Sequence, residues 1–301
     1  MAEPSLKYKT TVSLFWSFID KFGQQVLNFV SMLVLMNIVV PEAYGLIASL
    51  ALFTAFSTIL IDSGMGRVLI NRKRVSRADY SAVFFFNVGL SVGLYLLLFF
   101  LSPLIARLFD APAIVPVSRV LFLTLIFNAL GLIHQTRLVK KADFKSLTKV
   151  NMLALLIADG VAIIMAITGF GVWALVAQLL VYALARTLFF WVRSPWRPLP
   201  GLHLSRLKRY FSFSYKLLLS NMVTSTVNNL YPSLIAAFYP LSQVAYFNQA
   251  KKYQEIPFLT LANTFRSVAM LILSEINDQT ERLKRVTRKL IKSIAFLSFP
   301  I

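Results

Sequence analysis

Residues 81–101 read SAVFFFNVGLSVGLYLLLFFL, a run without a single charged side chain. A helix needs about 20 mostly apolar residues to cross the hydrocarbon core of a bilayer, and this run meets that length unaided. Working outward from it, runs of the same kind occur at 12–37, 43–61, 115–137, 149–168, 172–192, 215–238 and 243–273, so the sequence predicts eight crossings. A ninth run begins near Leu290, and the chain reads as stopping inside it, with the second half incomplete. The whole composition agrees. Of 301 residues, 57% are hydrophobic and 14% charged, and the mean hydropathy is +0.70, whereas soluble domains hold about 45–50% apolar and about 25% charged residues. Lipid is the solvent these proportions require, and the expected class is an all-α polytopic bundle.

The net charge is +19, from 31 Lys and Arg against 12 Asp and Glu. In a soluble chain that excess points to nucleic acid; here its position excludes that reading. One set of loops holds Lys7 and Lys9; Arg67, Arg72, Lys73, Arg74 and Arg77; Arg137, Lys140, Lys141, Lys145 and Lys149; Arg193 to Lys216; and Arg282 to Lys292. The alternate set holds Arg107 and short turns at Pro41-Glu42, Gly169–Gly171 and Tyr239-Pro240. Strict alternation of basic and bare loops is the positive-inside pattern. It places the N-terminus in the cytoplasm and makes the chain a multi-pass membrane protein. The segment 194–214, with Pro195, Pro198, Pro200 and Gly201, reads as a cytoplasmic linker between a six-helix bundle at 1–193 and the start of a second at 215–301. Residues 275–292 read as an amphipathic cytoplasmic connector.

Chemistry-bearing residues are few. There is no cysteine, and neither His134 nor His203 belongs to a metal-ligand spacing. No GxxxxGK[ST] nucleotide motif occurs. No catalytic residue, metal site or cofactor is expected, and transport would run on an ion or substrate gradient. Ionisable groups cost on the order of 2.5–3.5 kcal/mol each at bilayer depth and tend to line cavities. By helical rise, Asp20, Lys21, Asp159, Lys251, Lys252 and Glu255 fall near mid-membrane, Arg186 and Arg266 deeper toward the cytoplasm, and Arg119 near the outer edge of its helix. Ser17, Lys21, Gln24, Gln25 and Asn28 form a polar stripe on the first helix; Asn221, Thr224 and Asn228 form another on the seventh. The turns after these helices also match faintly, Pro41 to Tyr44-Gly45-Leu46 and Pro240 to Tyr246-Phe247-Asn248, as in transporters built from duplicated bundles. Such stripes also serve as glue between helices. The buried set leans cationic, so Lys21, Lys251, Lys252, Arg186 and Arg266 are the expected contacts for an anionic substrate. Asp20, Asp159 and Glu255 are the coupling or ion-pair candidates. His134 is either a proton-responsive group or a hydrogen-bonded interface residue.

The strings Pro41-Glu42-Ala43-Tyr44-Gly45-Leu46, Asp62-Ser63-Gly64-Met65-Gly66, Asp79 with Phe84-Phe85-Phe86-Asn87, Asp143-Phe144-Lys145, Gly169-Phe170-Gly171-Val172-Trp173-Ala174-Leu175, Ala245 to Ala250 and Leu273-Ser274-Glu275 occur in order along the chain. In this it resembles the Wzx-type polysaccharide flippases, the colanic acid and teichuronic acid exporter branch of the multidrug/oligosaccharidyl-lipid/polysaccharide exporter superfamily. The resemblance implies two helical bundles around a cavity that alternates between membrane faces. It also implies an undecaprenyl-diphosphate-linked oligosaccharide as cargo, with polysaccharide assembly machinery as partner, and it marks Asp20 and Lys21 as positions to carry over. One departure is clear: family members often carry an acid and a glycine near the end of helix 7, where this chain has Asn229-Leu230-Tyr231-Pro232 and Ala236-Ala237. A drug exporter of the same superfamily should have an acidic cavity, and a membrane-embedded polymerase needs acid, base or metal groups in a sizeable loop. Neither pattern is present.

Overall fold

The computed structural model describes residues 6–62, 64–72, 74–199, 204–251, 253–254, 288 and 292. Every regular element among them is a helix: α1 (Leu6–Met36), α2 (Pro41–Ser49), α3 (Ala51–Asp62), α4 (Met65–Asn71), α5 (Arg77–Leu108), α6 (Ile114–Leu121), α7 (Leu123–Lys140), α8 (Phe144–Ile167), α9 (Val172–Arg193) and α10 (Leu204–Phe238). Five stretches among the described residues are long and apolar enough to cross a membrane: Pro41–Ile70, Arg77–Leu108, Ile114–Lys140, Phe144–Ile167 and Val172–Arg193. The protein is therefore an all-α, multi-pass membrane protein.

Two expected straight helices are broken. The run at 43–61 is interrupted at Leu50, between α2 and α3, and the run at 115–137 at Phe122, between α6 and α7. Hydroxyl groups next to each break bond the helix carbonyls. Thr54 Oγ1 donates to the carbonyls of Leu50 and Ala51 at 3.2 and 3.0 Å, and Thr124 Oγ1 donates to that of Leu121 at 2.7 Å. A further turn follows α3, where Gly64 takes φ 69°, a left-handed value that a side chain resists, and starts α4.

Helix ends also differ from the hydropathy reading. The third crossing begins at Arg77, because Ser76 and Asp79 form a capping box: the Asp79 N–H donates to Ser76 Oγ at 3.2 Å and the Ser76 N–H to Asp79 Oδ2 at 2.9 Å. Residues 204–214, expected in a linker, are the first turns of α10. Leu207 there is buried in a core shared with Met65, Val68, Tyr80, Phe84 and Trp196. Segment 194–199 is irregular but held down. Arg77 Nε and Nη2 donate to the Arg197 carbonyl at 3.1 and 3.0 Å, and the Leu199 N–H donates to Ser81 Oγ at 2.9 Å.

The chain divides into two compact units, Met1–Ala245 and Tyr246–Ile301. In the first, α8 packs between α1 and α9, α7 packs against α5 and α9, and α10 lies along α3. Lys140, counted from sequence as a loop cation, closes α7 and caps α4. Its Nζ donates to the carbonyls of Leu69 at 2.7 Å and Ile70 at 3.2 Å, and to that of Arg72. Lys140→Met is expected to fray α4 and cost about 1–3 kcal/mol, read as a lower melting temperature of the purified protein in detergent.

Candidate functional site

Three polar rungs cross the apolar contact of α1, α8 and α9. On α9, Gln178, Tyr182 and Arg186 recur every fourth residue and so share one face. In the first rung Gln178 Nε2 donates to Asp159 Oδ1 at 2.7 Å and to Ser31 Oγ at 3.1 Å. In the second, Tyr182 Oη donates to Gln24 Oε1 at 3.4 Å. In the third, Asn151 Nδ2 donates to both oxygens of Asp20, at 3.0 and 3.4 Å, while Asn151 Oδ1 accepts from Arg186 Nε at 2.9 Å. Asp20 and Asn151 are buried, at 3% and 4% exposure. In hydrocarbon every polar group must find a partner within the protein, and this ladder supplies one at each level.

Arg186 leads from the ladder into a cavity of about 620 Å³. Its wall is formed by α2–α4, α6, α7 and α9. Thr54, Thr58, Thr124, Asn128, Gln135, Thr136 and Tyr182 contribute hydroxyl and amide groups; Asp62, Arg67 and Arg186 contribute the ionisable ones; Ile47, Ala51, Leu121 and Leu179 are among the apolar lining. The Arg186 guanidinium lies 5.9 Å from the ring centroid of Tyr182 and 5.2 Å from that of Phe190. Its Nε is engaged by Asn151, and no other hydrogen bond of Arg186 occurs among the described residues. The two Nη groups, a fork matched to phosphate or carboxylate, remain for a ligand.

The structure brings together Asp20, Gln24, Asp159 and Arg186 of the residues expected from sequence. Lys21 is exposed and does not line this cavity. Successive helix residues are about 100° apart, so turning Asp20 toward α8 turns Lys21 away. Asn28 is likewise exposed, its amide donating to the Gln24 carbonyl at 2.8 Å, and Ser17 and Gln25 are half-buried. The helix 1 stripe is thus divided between ladder and surface. On α10, Asn221 is half-buried and Thr224 is exposed, with its hydroxyl on the Ser220 carbonyl at 3.0 Å. The side chain of Asn228, together with Lys252, Glu255 and Arg266, lies outside the described residues; Lys251 is half-buried.

His134 differs from the hydrogen-bonded expectation. It is fully buried, its ring 4.8 Å from that of Trp191 and 5.2 Å from that of Trp196, and neither ring nitrogen has a hydrogen-bond partner among the described residues. Arg119 donates from Nε to Ser102 Oγ at 3.0 Å and stacks over Phe99 at 4.3 Å.

Asn151, Gln178, Tyr182, Asp62 and Arg67 were not legible as site residues. An inventory of ionisable groups passes over neutral amides, although Asn151 and Asp159 sit two helical turns apart on one face of α8. Arg67 counts as a loop cation by hydropathy, but it sits on α4 at the cavity wall.

Residues 34–301 match the family described as polysaccharide biosynthesis protein. The chain is 24% identical to the succinoglycan biosynthesis transport protein ExoT of Rhizobium meliloti, over 93% of this chain and 57% of that protein. It is 25% identical to the teichuronic acid biosynthesis protein TuaB of Bacillus subtilis, over 82% and 52% respectively. To the lipopolysaccharide biosynthesis protein WzxC of Escherichia coli it is 26% identical, over 98% and 61%. The chain spans between about half and three-fifths of the length of these curated relatives. No solved structure matches it.

Proposed function

This chain belongs to the polysaccharide biosynthesis protein family, and from that premise we propose that it forms part of a flippase. The flippase moves a polyprenyl-diphosphate-linked oligosaccharide across the bacterial inner membrane by alternating access, and makes and breaks no covalent bond. The observation that carries this reading is the cavity within the membrane-spanning helices. Two guanidinium groups suit a diphosphate, and threonine hydroxyls with asparagine and glutamine amides suit sugar hydroxyls. A cationic drug would instead meet Arg67 and Arg186 against Asp62, the one lining carboxyl among the described residues.

Three relatives are named for three different polymers, succinoglycan, teichuronic acid and lipopolysaccharide. What such cargoes share is the anionic lipid carrier, so in this reading recognition rests on the diphosphate. The same reading places the N-terminus in the cytoplasm and divides the chain between two bundles. It assigns Lys21, Lys251, Lys252 and Arg266 to contacts with the anionic cargo, and the polysaccharide assembly machinery to the receiving side.

The test is deletion of the gene in its host, followed by leaflet assignment of radiolabelled lipid-linked oligosaccharide with a membrane-impermeant reagent. The precursor is expected to accumulate on the cytoplasmic leaflet and to clear when the gene is restored. Normal delivery to the outer leaflet, in a strain with no second copy of the gene, overturns the proposal.

A further inference from the structure

We infer that Asn151 is a positioning residue: an amide relay through which the charge of Asp20 aims the cavity's guanidinium at the anionic headgroup. The inference rests on the reading of Arg186 as the headgroup contact. Neither Asp20 nor Asn151 lines the cavity, and both are buried, so each acts through Arg186.

The chemistry of the rung fixes its direction. An amide has a donor end and an acceptor end. The Asp20 carboxyl takes the donor end, at 3.0 and 3.4 Å, which leaves the carbonyl end for Arg186 Nε at 2.9 Å. The opposite orientation would set carbonyl against carboxylate and amide hydrogens against guanidinium hydrogens, and both contacts repel. Anchored at Nε and flanked by Tyr182 and Phe190 on its own helix, the guanidinium keeps its two Nη groups free for a bidentate anion. The relay also places opposite charges on the two sides of a neutral bridge, so each buried charge is compensated while the cation remains available. A two-pronged ion pair between Asp20 and Arg186 would compensate the charges equally well but occupy the fork.

The arrangement predicts that the donor and acceptor can be exchanged. In the double variant Asp20→Asn/Asn151→Asp, the amide at position 20 donates to a carboxylate at 151, which again accepts from Arg186 Nε, with net charge and side-chain volumes nearly unchanged. The full-length protein in detergent micelles would be titrated with farnesyl diphosphate and, as a neutral control, farnesyl glucoside. Asp20→Asn and Asn151→Asp alone are each expected to weaken farnesyl diphosphate about tenfold or more, with the glucoside changed less than about twofold. The double exchange is expected to recover diphosphate affinity to within about threefold of the parent. Unchanged diphosphate affinity in both single variants overturns the inference. So does a double exchange that binds no better than the weaker single variant or does not fold, and so does equal loss for both probes. If a single variant does not fold, the double exchange decides alone. Arg186→Gln separates the two levels: parent-like diphosphate binding in that variant removes the headgroup reading itself, whereas lost binding there with no effect at positions 20 and 151 removes only the relay.

Discussion

Arg186→Gln is expected to reduce lipid-linked oligosaccharide translocation by roughly 10- to 100-fold, the equivalent of one strong charge-assisted hydrogen bond or a bidentate pair. The guanidinium is the cavity group best placed to receive a phosphate, because its Nε is held at 2.9 Å by Asn151 and its Nη groups are unengaged among the described residues. Glutamine can still donate toward Asn151, so the ladder above the site survives, but the cation and the fork are gone. Removing the charge also leaves the buried Asp20 with the Asn151 amide but no facing cation, a change expected to cost about 1–3 kcal/mol. The melting temperature should therefore fall alongside activity. Arg186→Lys distinguishes the two contributions. A point charge restores compensation but not bidentate geometry, so stability should recover more fully than transport. Reconstituted full-length protein, assayed for leaflet transfer of a labelled substrate, reads the first quantity, and detergent melting reads the second. Parent-like transfer in both variants would remove Arg186 from the substrate path.

Gly45→Leu is expected to prevent accumulation of folded protein. A Cβ built at Gly45 would stand 2.0 Å from the backbone carbonyl oxygen of Leu241 and 2.6 Å from its carbon. That is backbone, not the flexible end of a side chain, so α2 and the chain after α10 would have to separate. Overpacking of this sort costs about 1–3 kcal/mol where side chains can yield; here the cost should be at the upper end or beyond. Gly45→Ala should already lower the melting temperature, and Gly45→Leu should abolish the monodisperse peak in detergent chromatography. A normal peak for the leucine variant would show that the two segments do not meet as described. The contact joins two strings that read as a faint internal repeat, Pro41 to Leu46 and Pro240 to Phe247. Their meeting at Gly45 and Leu241, inside one compact unit, shows a packing role for the first of them.

Much of the fold was open to hydropathy alone, and the departures have identifiable causes. Windows of apolar residues located the five stretches that are long and apolar enough to cross a membrane among the described residues, but averaged over the breaks at Leu50 and Phe122. They also started the third crossing too late, although the capping pair Ser76 and Asp79 was readable. Residues 204–214, read as linker, are helical for a different reason. The linker prolines are real, but Leu207 buries against α4 and α5, and burial depends on what lies opposite.

The sequence by itself determined that this chain dissolves in lipid, that its elements are helices, and that costly polar groups lie at depth on particular helix faces. These are sums over local runs, and a run carries its own hydropathy wherever it is packed. Only the tertiary structure decided which of those groups converge. Spacing within α1 cannot say whether Asp20 or Lys21 turns inward, because that depends on the rotation of one helix against another. That rotation brought Asp20, Asn151 and Arg186 into one chain of hydrogen bonds, left Lys21 exposed, and made the cavity's leading cation a residue of α9.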